Sequence, residues 1–174
     1  MGRSRQETEF RPLPFGSPDA RRLFAYRAAW APPPSPDELG WGAWVAAENE
    51  ASGTRMVATL LVERNKTAGM IHGPVVVESD DPLEVAAELL DFALPQATAA
   101  GVETLFARPQ GLDRVWVRFG FIPVPEAELP AVFKGSPGIG LFAWRGGSAL
   151  WSSRRRDSLE PATLTDSSLP RSRR

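Results

Sequence analysis

The chain has 174 residues, 43% hydrophobic and 24% charged, enough for one globular domain with a buried core. Its formal net charge of −1 gives no global field that points to nucleic acid or to a membrane surface. It has no cysteine and a single histidine, His72, which excludes disulfides, thiolate metal sites and histidine-rich metal centres.

Residues 1–9 are polar and lack an apolar run, so they do not read as a secretory leader. No stretch approaches the ~20 apolar residues of a membrane span. A cytoplasmic protein is expected. Thr8–Leu13 alternates enough for a short edge strand, with Pro12 and Pro14 limiting it. Ser17-Pro18-Asp19 is a helix start, with a capping serine, a proline at the first helical position and then an acid. Leu23, Phe24, Ala28 and Trp30 give that helix an apolar face. Pro32–Pro34 end it. Ser35-Pro36-Asp37-Glu38 repeats the start signal with capping-box spacing, which predicts one or two further turns.

Trp41–Ala47, Arg55–Glu63 and Met70–Val77 read as three strands joined by tight turns, an antiparallel meander. Trp41 and Trp44 are three apart on a strand, so they face opposite sides. From Pro82, Leu83, Ala86, Ala87, Leu90 and Leu94 recur at helical spacing, widened by Val85, Leu89 and Phe92. Pro95 should kink or end this helix, unless it continues to Ala100, and Gly101 is a natural C-terminal cap. Val102–Ala107 reads as a buried strand. Leu112, Val115, Trp116 and Phe119 mark a short amphipathic helix before Gly120. Phe121–Val124 and Gly140–Trp144 read as the last strands. Lys134 and Gly135–Gly140 (GSPGIG) look like a phosphate loop, but a strand-like run follows where a helix is required, so a hairpin loop is expected. Residues 152–174 hold six arginines and three acids. The expectation is a domain over residues 8–146 and a disordered Ser/Arg/Pro-rich tail over 147–174.

This element order, with Val115–Phe121 (VWVRFGF) and the preceding GVETLFA, resembles the GCN5-related N-acetyltransferases. The short helix ending in Gly120–Phe121 is similar to that family's helix before its last hairpin. The resemblance implies an α/β (α+β) fold, a mixed and mostly antiparallel sheet of six to seven strands with helices on both faces. It also implies transfer of an acetyl group from acetyl-CoA, as co-substrate, to a small-molecule or protein amine. A homodimer through the last strands is compatible with such folds.

The same resemblance assigns roles. Glu63, His72 and Glu78 are the candidate bases for the amine. The alternatives are a packed strand histidine and two solvated strand-end carboxylates. Val75, Val76 and Val77 would offer backbone groups to a pantetheine arm where the fourth and fifth strands splay, and Ala86 belongs to the cofactor loop. No metal site is implied. Two departures stand out. Where the family has a glycine-bearing pyrophosphate loop, this chain has Asp81-Pro82-Leu83-Glu84-Val85-Ala86. Pro82 has no N–H to donate, and Asp81 and Glu84 read as a cap and a first-turn acid that occupy the anion site. The tyrosine that often protonates the leaving thiolate is replaced by Trp116, and Pro109, Gln110 and Gly111 stand where an asparagine is common. The other reading is therefore a relative without acetyl-CoA use, either a non-catalytic binding module or an aminoacyl transferase of Fem type, to which His72-Gly73-Pro74-Val75-Val76 is similar.

Overall fold

The computed structural model describes residues 7–47, 53–108, 111–134 and 150–154. In chain order they form β1 (Thr8–Pro12), α1 (Pro18–Ala28), β2 (Leu39–Ala46), β3 (Thr54–Asn65), β4 (Ala68–Val76), α2 (Pro82–Ala99), β5 (Thr104–Ala107), α3 (Asp113–Arg118), β6 (Ile122–Val124) and β7 (Leu150–Arg154). Two 3-10 turns, Glu126–Glu128 and Ala131–Phe133, follow β6. The strands make one seven-stranded sheet in the order β1-β2-β3-β4-β5-β7-β6. Every pairing is antiparallel except β4 with β5, because α2 carries the chain back across the sheet between those two strands.

One face of the sheet is covered by α2. Its buried residues Ala86, Leu89, Leu90, Ala93 and Ala97 pack on Leu60, Val62, Ile71 and Val76. The alanines let the helix lie close to the strands. The helix runs through Pro95, which ends nothing. Ala93 and Ala97 on either side are fully buried and hold the helix down, while Pro95 is exposed, so the hydrogen bond it forgoes falls on the solvent side. Gly101, at φ 94, then closes the helix. Val102 N–H donates to Ala97 O at 3.1 Å and Gly101 N–H to Thr98 O at 3.0 Å, the paired bonds of a Schellman ending.

The opposite face is covered in two parts. Ala20, Phe24 and Ala28 of α1 pack on Leu61 and Val75. Leu129 and Phe133 of the 3-10 segment pack on Met70, Phe106 and Leu150. Ser17 caps α1 through Ala20 N–H with Pro18 at the first helical position. The second helix expected at residues 35–38 does not form. The segment is a turn closed by Glu38 N–H to Ser35 O at 3.2 Å, and Glu38 is drawn instead to Arg21 of α1. Trp41 and Trp44 do face opposite sides: Trp41 is core and donates to Gln96 Oε1 at 3.0 Å, while Arg11 lies over Trp44.

The tail expectation needs correcting at its start. Leu150–Arg154 is β7, hydrogen-bonded between β5 and β6. Leu150, Trp151 and Ser152 are buried, so pairing on both sides outweighs the Ser/Arg composition around the strand. The strand expected at Gly140–Trp144, the hairpin loop at 135–140 and residues 155–174 lie outside the described residues. Among the described residues no helix is long and apolar enough to cross a membrane.

Candidate functional site

The parallel ladder between β4 and β5 is short. It pairs Ala68 with Thr104, Gly69 with Leu105 and Met70 with Phe106, and stops there. β4 runs on to Val76. Beyond Met70 and Phe106 the ladder stops, β5 ends at Ala107 and β4 continues without a β5 partner, and the opening this leaves between them is a fork. Val75 and Val76 are register partners of Thr59 and Ala58 in β3, with the side chain of Val75 under α1 and that of Val76 under α2. The Val77 N–H donates to Val57 O at 2.7 Å, so it is committed to β3 and unavailable to a ligand. Ala86 is fully buried against the sheet.

Two of the three expected bases meet at the base of this fork. On β3, Leu61 points to the α1 face, and Glu63 follows it by the strand alternation. His72 on β4 is the register partner of Leu61. Its Nε2 lies 3.1 Å from Glu63 Oε2. With the proton on Nε2 the imidazole donates to the carboxylate. His72 is 3% exposed and Glu63 28%, so the pair has a buried end and an end that reaches water. The ring of Trp30, from the segment after α1, stands 6.0 Å from the imidazole. The β3/β4 register shifts between Thr59 and Leu61, which lets His72 and Val75 share a face although they are three apart. Gly73 between them has φ 92, and a Cβ there would meet Thr59 O at 3.0 Å, so only glycine fits this close crossing.

Glu78 is elsewhere. It follows the far end of β4, with a left-handed φ of 52, and its carboxylate takes an ion pair from Arg55. It is exposed there, and nothing aims it at the His72 pair. Glu78 is therefore not brought together with the other two, for the simple reason that Glu63 lies opposite Met70 at the other end of β4.

The start of α2 bears on the cofactor loop. Asp81 Oδ1 accepts the Glu84 N–H at 3.1 Å, and Ser79 Oγ accepts the Asp81 N–H at 3.2 Å. Pro82 occupies the first helical position. The protein's own side chains thus satisfy amides at this helix start, and add a negative charge beside them. Replacing Asp81 with alanine should cost about 1 kcal/mol of stability, seen as a lower urea midpoint at constant m; an unchanged midpoint would show that the cap contributes nothing. Trp116, fully buried, packs edge-on against Phe121 at 4.9 Å between centroids, so it is core and cannot serve as an acid.

Arg108 is a residue that sequence reasoning passed over. Along β5, Leu105 and Ala107 face α2 and Phe106 faces the other side, so Arg108, next in the alternation, shares the face of Glu63 and His72. It donates from both Nη groups to Glu126, at 3.1 and 2.5 Å. Its only signal in the sequence is an arginine closing a buried strand. A groove of about 310 Å³ lies on the other face, lined among others by Leu94, Val102, Leu105, Phe119 and Arg154, away from all these residues. Among the described residues no cluster of three metal-ligating side chains occurs.

The sequence matches no family model and no curated protein. The backbone does match solved structures. Against the ribosomal-protein-S18-alanine N-acetyltransferase from Escherichia coli the TM-score is 0.58, at 12% identity over 85% of this chain and 94% of that one. Against an acetyltransferase of the GNAT family from Staphylococcus aureus Mu50 it is 0.51, at 13% identity over 68% of each chain. Against N-acetylglutamate synthase from Neisseria gonorrhoeae, complexed with coenzyme A and N-acetyl-glutamate, it is 0.54, at 14% identity over 86% of this chain and 36% of that one. Identities this low speak for architecture, and chemistry has to come from the residues. With seven strands and one parallel pair among the described residues, the chain has the fold of the GCN5-related N-acetyltransferases.

Proposed function

We propose that this chain is an acyltransferase that moves an acetyl group from acetyl-CoA to an amine. The observation that carries the reading is the fork beyond Met70 and Phe106, with the Glu63–His72 pair at its base. An extended pantetheine arm fits between splayed strands, where backbone groups of β4 past Met70 have no β5 partner in the ladder. The amine nitrogen attacks the thioester carbonyl, the N–C bond forms and the C–S bond breaks. The Glu63–His72 pair takes the proton that the amine loses, at the imidazole, and passes it by the carboxylate toward water. CoA leaves as the thiolate and is protonated by solvent, since Trp116 has no proton to give at that position.

The start of α2 does not fit a pyrophosphate held in the manner of the family, so the donor would be held by its pantetheine arm. That same feature favours a second reading, a protein of this fold that does not use acetyl-CoA. Calorimetric titration with acetyl-CoA separates the two. Saturable binding below millimolar concentration is expected of the acetyltransferase. No heat at millimolar acetyl-CoA would sink it and leave the second reading.

A further inference from the structure

We propose that the acceptor is a free α-amino acid, with its amine at the Glu63–His72 pair and its carboxylate on Arg108. This rests on the acyltransferase reading for its chemistry, but the binding site itself stands on separate geometry. Met70 and Phe106 are register partners. His72 lies two residues beyond Met70, and Arg108 two residues beyond Phe106, on the same face of the sheet. His72 on β4 and Arg108, just past the end of β5, therefore lie the same number of residues beyond the last pair of the ladder. Neighbouring strands are about 4.8 Å apart where they pair. An amino acid, with hydrogen bonds of roughly 3 Å at each end, spans on the order of 8 Å from donor to acceptor.

The second observation is what Arg108 already holds. Its side chain is 14% exposed and it grips Glu126 with two nitrogens on two oxygens, the fork geometry by which arginine recognises any carboxylate. Glu126 itself is 59% exposed and sits on a three-residue 3-10 turn, so it can swing away without unpacking the core. Arg108's hydrogen bonds hold the Glu126 carboxyl below its usual range against the opposing effect of burial, and the charges of Arg108 and Lys134 add to the lowering field. Glu126 thus marks a place built for a carboxylate anion, and in the absence of substrate it fills that place itself. The amine of the acceptor lies at the Glu63–His72 pair, which carries the negative charge of Glu63, and its own carboxylate meets a cation, so the two ends of the zwitterion are sorted by charge.

The test is a calorimetric titration of the full chain with the twenty proteinogenic amino acids and their methyl esters, without acyl donor. At least one amino acid should bind, and its ester at least tenfold more weakly. Arg108→Lys, which keeps the charge but loses the fork, should weaken that amino acid at least tenfold and leave the ester unchanged. Glu126→Gln removes the internal competitor and should tighten binding by about two- to fivefold, the range of an exposed ion pair. The proposal is overturned if no amino acid binds, if ester and acid bind alike, or if Glu126→Gln weakens or leaves binding unchanged; this last arm decides even if Arg108→Lys does not fold. Acetyl-CoA binding is measured separately, so amino acid binding without it would end the acetyltransferase reading and keep the carboxylate site.

Discussion

Replacing Glu38 with alanine should destabilise the fold by about 3 kcal/mol, the low end of what is seen when one partner of a buried ion pair is removed. The Glu38 side chain is 5% exposed and that of Arg21 14%. Both Nη groups of Arg21 donate to Glu38, one at 2.9 Å, and the Gly16 N–H reaches the same carboxylate at 3.3 Å. Arg21 Nε also donates to Pro32 O at 3.2 Å. One pair therefore ties the start of α1, the proline segment and the entry to β2. Without Glu38 the guanidinium stays in a place that water barely reaches, and its desolvation is no longer offset. Arg21→Met combined with Glu38→Leu should recover most of the loss, because the buried charge disappears with its partner. Urea unfolding of the single and double variants measures this as a cycle. A single-variant loss below about 1 kcal/mol would place the pair with ordinary surface bridges. The consequence reaches the site as well. Pro32 is held by Arg21, and Trp30, two residues earlier, is the ring beside His72, so loosening this clamp should also disturb the wall of the fork.

The same pair shows where the sequence misleads about architecture. Ser35-Pro36-Asp37-Glu38 has every local mark of a helix start, yet no helix forms, because Glu38 is worth more as the partner of a buried arginine 17 residues away than as a capping-box acid. Local patterns elsewhere agree with the fold and were legible: Ser17-Pro18 before α1, the period of α2, Gly101 behind it and the Trp41/Trp44 alternation. Leu150–Arg154 was missed for a different reason. Five residues of strand lie in a stretch dominated by Ser and Arg, and what holds them is pairing with β5 and β6 on both sides. Such long-range pairing leaves little trace in composition.

The site was legible in pieces. Glu63 and His72 could be named singly because each carries a titratable group on a strand. Their meeting depends on the register of β3 with β4, which a residue pattern does not fix. The start of α2 was read correctly as a cap, since Asp81-Pro82-x-Glu84 is local chemistry and Asp81 does accept the Glu84 N–H. Glu78 looked as good as Glu63, and what separates them is position, Glu63 opposite Met70 and Glu78 past the other end of β4, where it pairs with Arg55. Arg108 was invisible because its significance comes from the register of Met70 with Phe106 and from a carboxylate 18 residues downstream.

His72→Gln should lower kcat/KM for acyl transfer by about 10²- to 10⁴-fold, the range for loss of a positioned general base, equivalent to roughly 3–5 kcal/mol of transition-state stabilisation. Glutamine is chosen because its amide can still donate to Glu63 and fill much of the space of the imidazole, so folding should survive. Glu63→Gln should have the smaller effect on turnover. The carboxylate orients the imidazole and opens the relay to water, but in this assignment the nitrogen that takes the amine proton belongs to His72. The two variants together discriminate three cases that a single one would merge. If His72 is only a packed polar group, His72→Gln shifts the unfolding temperature and leaves kcat alone. If Glu63 is the base and His72 orients it, the order of the two effects reverses. If the pair acts as a unit, the double variant costs no more than His72→Gln by itself, because groups that work together are not additive. The last outcome is the one the 3.1 Å contact predicts: a buried imidazole with one carboxylate partner has one route for its proton, and cutting that route twice does no further harm.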